Sequence, residues 1–257
     1  MTRYTFSTQA LSTLLSFPFK DPEWQKKAVI GIAITLSGFF TLGITIFFVS
    51  GYFYRIMRRI IIEDGEPFLP EWDDWGRLFI DGLRLSGAGL IFTLPTIIVL
   101  FVSFIAWIIA ISLASNAPPS SGSGLILLPG LVIMTLGIGL AIILSLATSV
   151  FSPAAMAHVA ARGSFKAFFQ FNNWWQVWRA NISGFLISCL LAMLLSFAAI
   201  LPVMILNLTF IFSCLSPLLY AITLFYVLLV SYPLFAQVYR NGVENLESSA
   251  GDTTIEE

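Results

Sequence analysis

Charged residues are absent from three long stretches of the chain. No Asp, Glu, Lys or Arg occurs in 28–54, 85–161 or 180–239, and together these stretches make up more than half of the 257 residues. A helix needs roughly 20 apolar residues to cross a hydrocarbon core about 30 Å thick. The first stretch is therefore long enough for one transmembrane span, and each of the other two is long enough for two.

Turn-forming residues divide the two longer stretches. The segment 116–124 reads Asn-Ala-Pro-Pro-Ser-Ser-Gly-Ser-Gly, and such a segment would leave backbone polar groups unsatisfied in lipid. The last stretch is interrupted less sharply within 207–216, and Pro217 suits the first turn of a following helix. The pattern predicts five helices, at 28–54, 87–115, 125–151, 182–206 and 215–236.

The distribution of basic residues predicts the orientation. Four Lys or Arg precede residue 28, five lie in 55–84, three in 152–181 and one near the C-terminus. Because basic loops favour the cytoplasmic side, five spans with the N-terminus outside are preferred. Four glycines in 28–54 also allow this stretch to bend back as a re-entrant hairpin, which would leave the N-terminus in the cytoplasm. The expected location is the cytoplasmic (inner) cell membrane, with multiple passes.

Composition supports a membrane protein. Hydrophobic residues make up 58% and charged residues 11% of the chain, whereas soluble domains carry about 25% charged residues. The predicted class is all-α, a polytopic transmembrane helix bundle of about five spans with interfacial amphipathic helices. We expect one membrane domain over 1–240 and a disordered polar tail over 241–257. The net charge of −1 gives no reason to expect a nucleic-acid partner.

Two motifs that contain Pro-Glu-Trp precede the first two predicted spans, at 17–24 and 68–75. Proline in a first turn, a carboxylate near the positive end of the helix dipole and tryptophan at headgroup depth are typical of a helix start at the membrane surface. Apolar spacing in 75–84 and the aromatic segment 164–179 predict two interfacial helices. Six tryptophans are predicted as interface anchors: Trp24, Trp72, Trp75, Trp174, Trp175 and Trp178.

Arginines and acids are concentrated between the first two predicted spans. Arg55, Arg58 and Arg59 recur three and four apart on one helix face, and charges at a half-dry boundary are costly unless they are paired or reach water. We expect them to pair with acids of 63–81 or of the first motif. Contact with anionic lipid headgroups stays open as the alternative. The predicted structural polar cluster consists of Arg55, Arg58, Arg59, Asp73, Asp74, Arg77 and Asp81.

These motifs resemble those of a known family. The residues concerned are Phe-Pro-Phe-Lys-Asp-Pro-Glu-Trp at 17–24, Gly51-Tyr52 followed by the three arginines, and Leu-Pro-Glu-Trp-Asp-Asp-Trp-Gly at 69–76. Over nearly the whole chain the sequence is similar to the prokaryotic membrane family called domain of unknown function number four thousand and thirteen. The resemblance implies a bacterial or archaeal cytoplasmic membrane protein, and it carries over no catalytic residue, substrate or cofactor.

Charge placement also separates the candidate functions. An ion-coupled transporter is expected to carry ionisable residues within its spans, and the predicted spans have no charged residue. A passive channel, or a lipid or small-solute transporter, stays an alternative. A membrane-surface enzyme would have to use the acidic cluster in 63–81, for example around a divalent cation, but the neighbouring arginines favour ion pairing. His158, the only histidine, is expected to be a hydrogen-bonded packing residue.

The preferred prediction is therefore a non-catalytic membrane protein, a scaffold or assembly subunit that acts through helix packing and partner contacts. We predict no catalytic, cofactor-binding or metal-binding residue and no cofactor. Cys189 and Cys214 are expected to be small apolar packing residues. The expected partners are membrane lipids, and other membrane proteins or self-association stay open.

Overall fold

The computed structural model describes residues 15–63, 66–118, 123–208 and 214–253. Within these residues the chain forms seven α-helices and two short 3-10 helices, and it contains no strand. The 3-10 helices cover Phe17–Lys20 and Phe165–Phe169. The α-helices are α1 (Trp24–Ser37), α2 (Ile46–Ile62), α3 (Trp75–Ser115), α4 (Ser123–Arg162), α5 (Phe171–Ala180), α6 (Ile182–Asn207) and α7 (Ser216–Thr253). The predicted all-α class is confirmed.

Four helices, α3, α4, α6 and α7, are long and apolar enough to cross a membrane, whereas the sequence predicts about five spans. The difference lies in 28–54, which forms α1 and α2 with turns between them rather than one continuous helix. α1 has 14 residues and α2 has 17, which correspond to about 21 Å and about 26 Å of helix. Each is shorter than a hydrocarbon core of about 30 Å. The stretch 28–54 therefore forms a helical hairpin instead of one continuous helix.

Hydroxyl side chains satisfy the backbone at the turn of this hairpin. The hydroxyl of Thr45 donates to the carbonyl of Ile34 at 3.0 Å, and that of Thr41 donates to the carbonyl of Ser37 at 3.0 Å. Gly43 has a φ of 84°, a conformation that glycine adopts without strain. Because lipid offers no hydrogen-bond partner, these contacts explain how such an apolar segment reverses direction.

The described helices form two compact units. One unit comprises Met1–Ala88 and Pro153–Glu257, and the other comprises Gly89–Ser152. In the first unit, α7 packs against α1, α2, α5 and α6. Much of its core comes from α2, where Tyr52 and Ile56 are fully buried. The polar residues discussed below belong to this first unit.

Two glycines bring α2 and the start of α3 into close contact within the first unit. A Cβ atom on Gly51 would overlap the carbonyl oxygen of Leu78, and a Cβ atom on Gly82 would overlap that of Phe47. In both cases the obstacle is backbone, which cannot rotate away as a side chain can. The two helices therefore approach closely only because these positions are glycine, and the arginines that follow Gly51 come to lie beside the charged residues of α3.

The second unit consists of the remaining parts of α3 and α4. A Cβ atom on Gly137 would overlap the side chain of Ser103, and one on Gly130 would overlap the side chain of Ala110. Small residues at such contacts are typical of helix pairs in lipid, where close backbone approach provides the packing energy. The hydroxyl of Ser103 is satisfied within its own helix, since it donates to the carbonyl of Val99 at 2.7 Å.

The start of α3 differs from the predicted helix boundaries, and α4 runs on to Arg162 beyond the span predicted at 125–151. The surface helix expected at 75–84 and the span expected at 87–115 are one continuous helix, α3. Burial of Leu85 and Ala88 explains this, because tertiary packing rather than propensity provides most of the stability of a helix. The two residues lie three apart and therefore on one face.

The C-terminal segment also differs from the sequence expectation. The sequence predicts disorder over 241–257, whereas α7 continues through Thr253. Gly242 lies directly against Val177, and the Asn245 side chain donates to the carbonyl of Ala180 at 3.2 Å. Contact with α5 thus extends the helix beyond its apolar part. Residues 254–257 lie outside the described part of the chain.

Candidate functional site

The two Pro-Glu-Trp motifs meet around one lysine side chain, which we call the Lys27 clamp. The Lys27 ammonium lies 2.9 Å from Asp21 of the first motif and 2.7 Å from Glu71 of the second. It also donates to the carbonyl of Leu69 at 2.9 Å. Lys27 is 6% exposed, so all three of its hydrogens go to protein acceptors instead of water. The clamp joins the N-terminal motif and α1 to the segment that precedes α3.

Electrostatics keep both charges of the clamp ionised. Burial disfavours the charged ammonium, but the contacts with Asp21 and Glu71 outweigh this and raise the pKa of Lys27 above 10.5. Burial also opposes ionisation of Asp21, yet hydrogen bonds from Lys27 and from the backbone N–H of Glu23 lower the pKa of Asp21 below 3.8. Lys27 and Asp21 are therefore both charged around neutral pH.

Trp72 of the second motif contacts the backbone of Lys27. Its indole N–H donates to the carbonyl of Lys27 at 2.9 Å, and its ring stacks on Tyr52 with 4.2 Å between the ring centroids. The Tyr52 hydroxyl is buried and has no hydrogen-bond partner among the described residues. Trp72 thus fastens the start of α1 to α2.

A second polar feature, the arginine pocket, lies between the end of α2 and the start of α3. It is a concave site of about 460 Å³. Its basic lining residues are Arg55, Arg58, Arg59, Arg77 and Arg84, and its acidic ones are Glu63 and Asp81. The lining therefore carries three more positive than negative charges.

The α2 arginines have different partners. Arg55 Nη1 lies 2.7 Å from an oxygen of Asp73. Arg59 lies 3.7 Å from Glu63, and its guanidinium carbon stands 3.8 Å from the ring centroid of Phe68, a cation–π contact. Arg58 has no carboxylate partner among the described residues and donates to the backbone carbonyl of Ala160 at 3.2 Å.

One buried acid holds the two α3 arginines. Asp81, 4% exposed, lies 2.8 Å from Arg84 and 3.9 Å from Arg77. Asp74 has another role, because its carboxylate accepts the backbone N–H of Arg77 at 3.2 Å and so caps the start of α3. Each acid of the predicted polar cluster thus has a local partner.

The structure brings together most of the predicted polar cluster. Five of its seven residues line the arginine pocket: Arg55, Arg58, Arg59, Arg77 and Asp81. Asp73 pairs with one of these, Arg55, and Asp74 caps the start of α3. Arg84 and the residues of the Lys27 clamp lie outside the predicted cluster. The repeated Pro-Glu-Trp motif is the feature of the sequence that could have indicated the clamp. Asp64, part of the acidic run, lies outside the described residues.

The six predicted interface anchors differ in exposure and fall into three groups. Trp75 is 46% exposed, while Trp72 and Trp174 are only 8% and 3% exposed. Trp174 donates from its indole nitrogen to the carbonyl of Phe168 at 3.0 Å. These two side chains are packed against protein, so exposure to headgroups does not account for their positions. Trp24, Trp175 and Trp178 are half-buried.

His158 lies in a buried polar contact of the first unit. Its Nδ1 is 2.6 Å from the hydroxyl of Tyr239, and its Nε2 is 3.3 Å from the side-chain oxygen of Gln170. His158 therefore joins α4 to α7 and to the segment before α5, as expected of a hydrogen-bonded packing residue. Across the described part of the chain, no group of three His, Cys, Asp or Glu side chains is arranged to hold a metal ion.

Comparison with known proteins gives a family but no activity. The family described as Protein of unknown function (DUF4013) matches residues 36–208, more than half of the chain. The chain belongs to this family. The match includes α2, the arginine pocket and the second Pro-Glu-Trp motif, while the first motif lies outside it. No curated protein and no solved structure matches the chain.

Proposed function

We propose that this DUF4013 protein is a non-catalytic scaffold or assembly subunit of a membrane, whose spans pack against other membrane helices. The proposal rests on one observation, that the chain itself buries few of the residues in these spans. In the most apolar windows of α3, α4 and α6, only 11%, 17% and 11% of residues are buried by the chain itself. The outward surface of these helices is available to lipid or to partner helices.

The same observation weighs against the alternative of a passive channel or transporter formed by one copy. An enclosed pathway requires spans that bury much of their surface against each other around a polar lumen. Among these spans α7 is the most enclosed, with 44% of its window buried. Within the first unit, only 11% of the α6 window is buried among the described residues, so further helices would have to complete any conduit that α6 lines.

Ion pairing weighs against an enzyme that uses the acids of 63–81. Glu63 faces Arg59, Glu71 faces Lys27, and Asp81 faces Arg84. A carboxylate that binds a catalytic metal, or that transfers protons, needs to be free of such a partner. Glu71 instead connects two segments of the chain, whereas Glu63 and Asp81 pair with arginines of their own helices.

We propose that the clamp and the arginine pocket face the cytoplasm. The Lys27–Glu71 contact requires the two Pro-Glu-Trp motifs to share one side of the membrane. With α1 and α2 as a re-entrant hairpin and four spans, the basic residues of 15–27, 55–84 and 152–181 also share that side. The loops 116–123 and 207–214 contain no Lys or Arg. This distribution follows the preference of basic loops for the cytoplasm.

Photocrosslinking in the native membrane tests the assembly proposal. A photoreactive side chain is placed at Phe101, Ile143 or Phe197, each more than 60% exposed on a span, and at the buried control position Ala141. We expect at least one exposed position to crosslink to a second polypeptide, either another copy or a different membrane protein. Crosslinks to lipid alone at all three exposed positions would contradict the proposal.

A further inference from the structure

We propose that the arginine pocket binds an anionic phosphate ester, presented either by a phospholipid headgroup or by a small soluble molecule. This goes beyond the scaffold role, because it assigns a ligand to a particular site. The pocket combines a concave shape of about 460 Å³, within the range of known ligand sites, with five arginines in its lining.

Charge balance supports an anionic ligand. Asp81 and Glu63 offset only two of the five positive charges that line the pocket. Asp73 lies beside Arg55 but is 70% exposed, so water weakens its effect on the interior of the site. An anion would reduce the remaining repulsion among the arginines.

The guanidinium groups also retain hydrogen-bonding capacity. Each arginine carries five N–H donors, and the side chain of Arg58 makes one hydrogen bond within the described structure, to Ala160. Arg77 is 73% exposed and touches Asp81 only at 3.9 Å. One planar guanidinium group can donate two parallel hydrogen bonds to two oxygens of a phosphate. Arg58 from α2 and Arg77 from α3 thus border the same concave site with donors to spare.

A glycine leaves space for one of these arginines. Gly163 lies in the pocket lining, and a Cβ atom there would come within 2.8 Å of Arg58 Nη1. Gly163 also has a φ of 69°, which favours glycine. Glycine in the turn after α4 therefore leaves room for the Arg58 guanidinium beside the pocket.

The depth of the pocket matches that of lipid phosphates. Arg55 is the first charged residue after the apolar stretch 28–54, and Arg84 is the last before 85–161. The pocket therefore lies where the apolar chain meets the aqueous boundary, the level at which phospholipid headgroups occur. A soluble phosphate ester would reach the same site from the aqueous side.

Binding measurements on the full chain distinguish a site from diffuse attraction. The lipid arm uses nanodiscs of phosphatidylcholine containing a small fraction of phosphatidic acid, and it measures retained lipid by native mass spectrometry. The soluble arm titrates glycerol 3-phosphate into protein in a neutral detergent. Arg58→Gln is the pocket variant, and Arg179→Gln is the matched control, because Arg179 is exposed on α5 and its loss changes the net charge equally.

We expect saturable binding in at least one arm, weakened about tenfold or more by Arg58→Gln and less than about twofold by Arg179→Gln. The arm that shows this pattern identifies the source of the phosphate. If Arg58→Gln does not fold, Arg77→Gln provides the same test, because Arg77 is largely exposed. Equal loss in pocket and control variants, or no saturable binding in either arm, would overturn the proposal.

Discussion

Replacement of Lys27 by methionine tests the clamp, because methionine has a similar unbranched side chain, one atom shorter, that carries no charge and donates no hydrogen bond. The change leaves Asp21 without its cation, and the side chain of Asp21 is only 19% exposed. It also leaves the carbonyl of Leu69 without this donor. We therefore expect Lys27→Met to destabilise the protein without disturbing the apolar core.

The magnitude follows from the three contacts. A charge-assisted hydrogen bond contributes about 1.5–3 kcal/mol, and an unsatisfied buried carbonyl costs about 1 kcal/mol. The contact with Glu71 adds less than about 1 kcal/mol, because the Glu71 side chain is 55% exposed. The expected loss in the free energy of unfolding is about 3 kcal/mol.

The neighbouring lysine is a matched control for the assay. Lys26 is 65% exposed and pairs with the exposed Glu23, so Lys26→Met should cost less than about 1 kcal/mol. Both variants are compared with the unmodified chain by reversible denaturation in mixed micelles. Equal effects of the two substitutions would refute the assignment of Lys27 as a buried clamp.

The pH dependence of the Lys27→Met effect follows from the two pKa shifts. The pKa of Asp21 is lowered from 3.8, so its contribution is present above that value and is lost as the pH falls through the lower folded-state pKa. The pKa of Lys27 is raised from 10.5, so its contribution is present below that value and is lost as the pH rises through the higher one. The difference in the free energy of unfolding between the unmodified chain and Lys27→Met should therefore stay constant from about pH 5 to 9.

Three further predictions follow from individual contacts. Gly82→Ala should lower the free energy of unfolding by about 2 kcal/mol or more, because the new methyl group meets the backbone of α2. The control Gly76→Ala should be neutral or stabilising, because no atom lies within 4 Å of a Cβ there. Equal losses of stability in the two variants would contradict this. A double-mutant cycle between Arg55 and Asp73 should give a coupling below about 1 kcal/mol, because Asp73 is 70% exposed, and a larger value would mean that the pair is more enclosed. Deletion of 245–257 should leave membrane insertion and thermal stability unchanged, because Asn245 contributes one exposed hydrogen bond, and a substantial loss of folded protein would show that the segment docks.

Features that depend on local composition can be predicted from the sequence. Charge-free stretches identified the four long apolar helices, and the spacing of Arg55, Arg58 and Arg59 located one wall of the arginine pocket. The stretch 28–54 was ambiguous, because its 27 residues suit either one span or a hairpin. Hydroxyl contacts between α1 and its turn favour the hairpin, and their geometry is not visible in the sequence.

The Lys27 clamp, in contrast, could not be predicted from local sequence patterns. Lys27 and Leu69 are 42 positions apart, and no periodic pattern connects them. Lys26 and Lys27 are neighbours of the same type, yet one is exposed and the other is buried. Only the return of the chain through α1 and α2 brings the second motif onto Lys27. Long-range pairing of this kind depends on the tertiary path, which local patterns do not specify.

Side-specific cysteine labelling of intact cells tests the central claim, which is that the two Pro-Glu-Trp motifs meet on one side of the membrane. Single cysteines are placed at Lys20, Ser164 and Ser120 in a chain without Cys189 and Cys214, and an impermeant maleimide is applied before and after permeabilisation. We predict that Lys20→Cys and Ser164→Cys are labelled only after permeabilisation, and that Ser120→Cys is labelled before it. Labelling of Lys20→Cys and Ser164→Cys from opposite sides would mean that 28–54 crosses the bilayer. The 2.7 Å contact between Lys27 and Glu71 could not then exist.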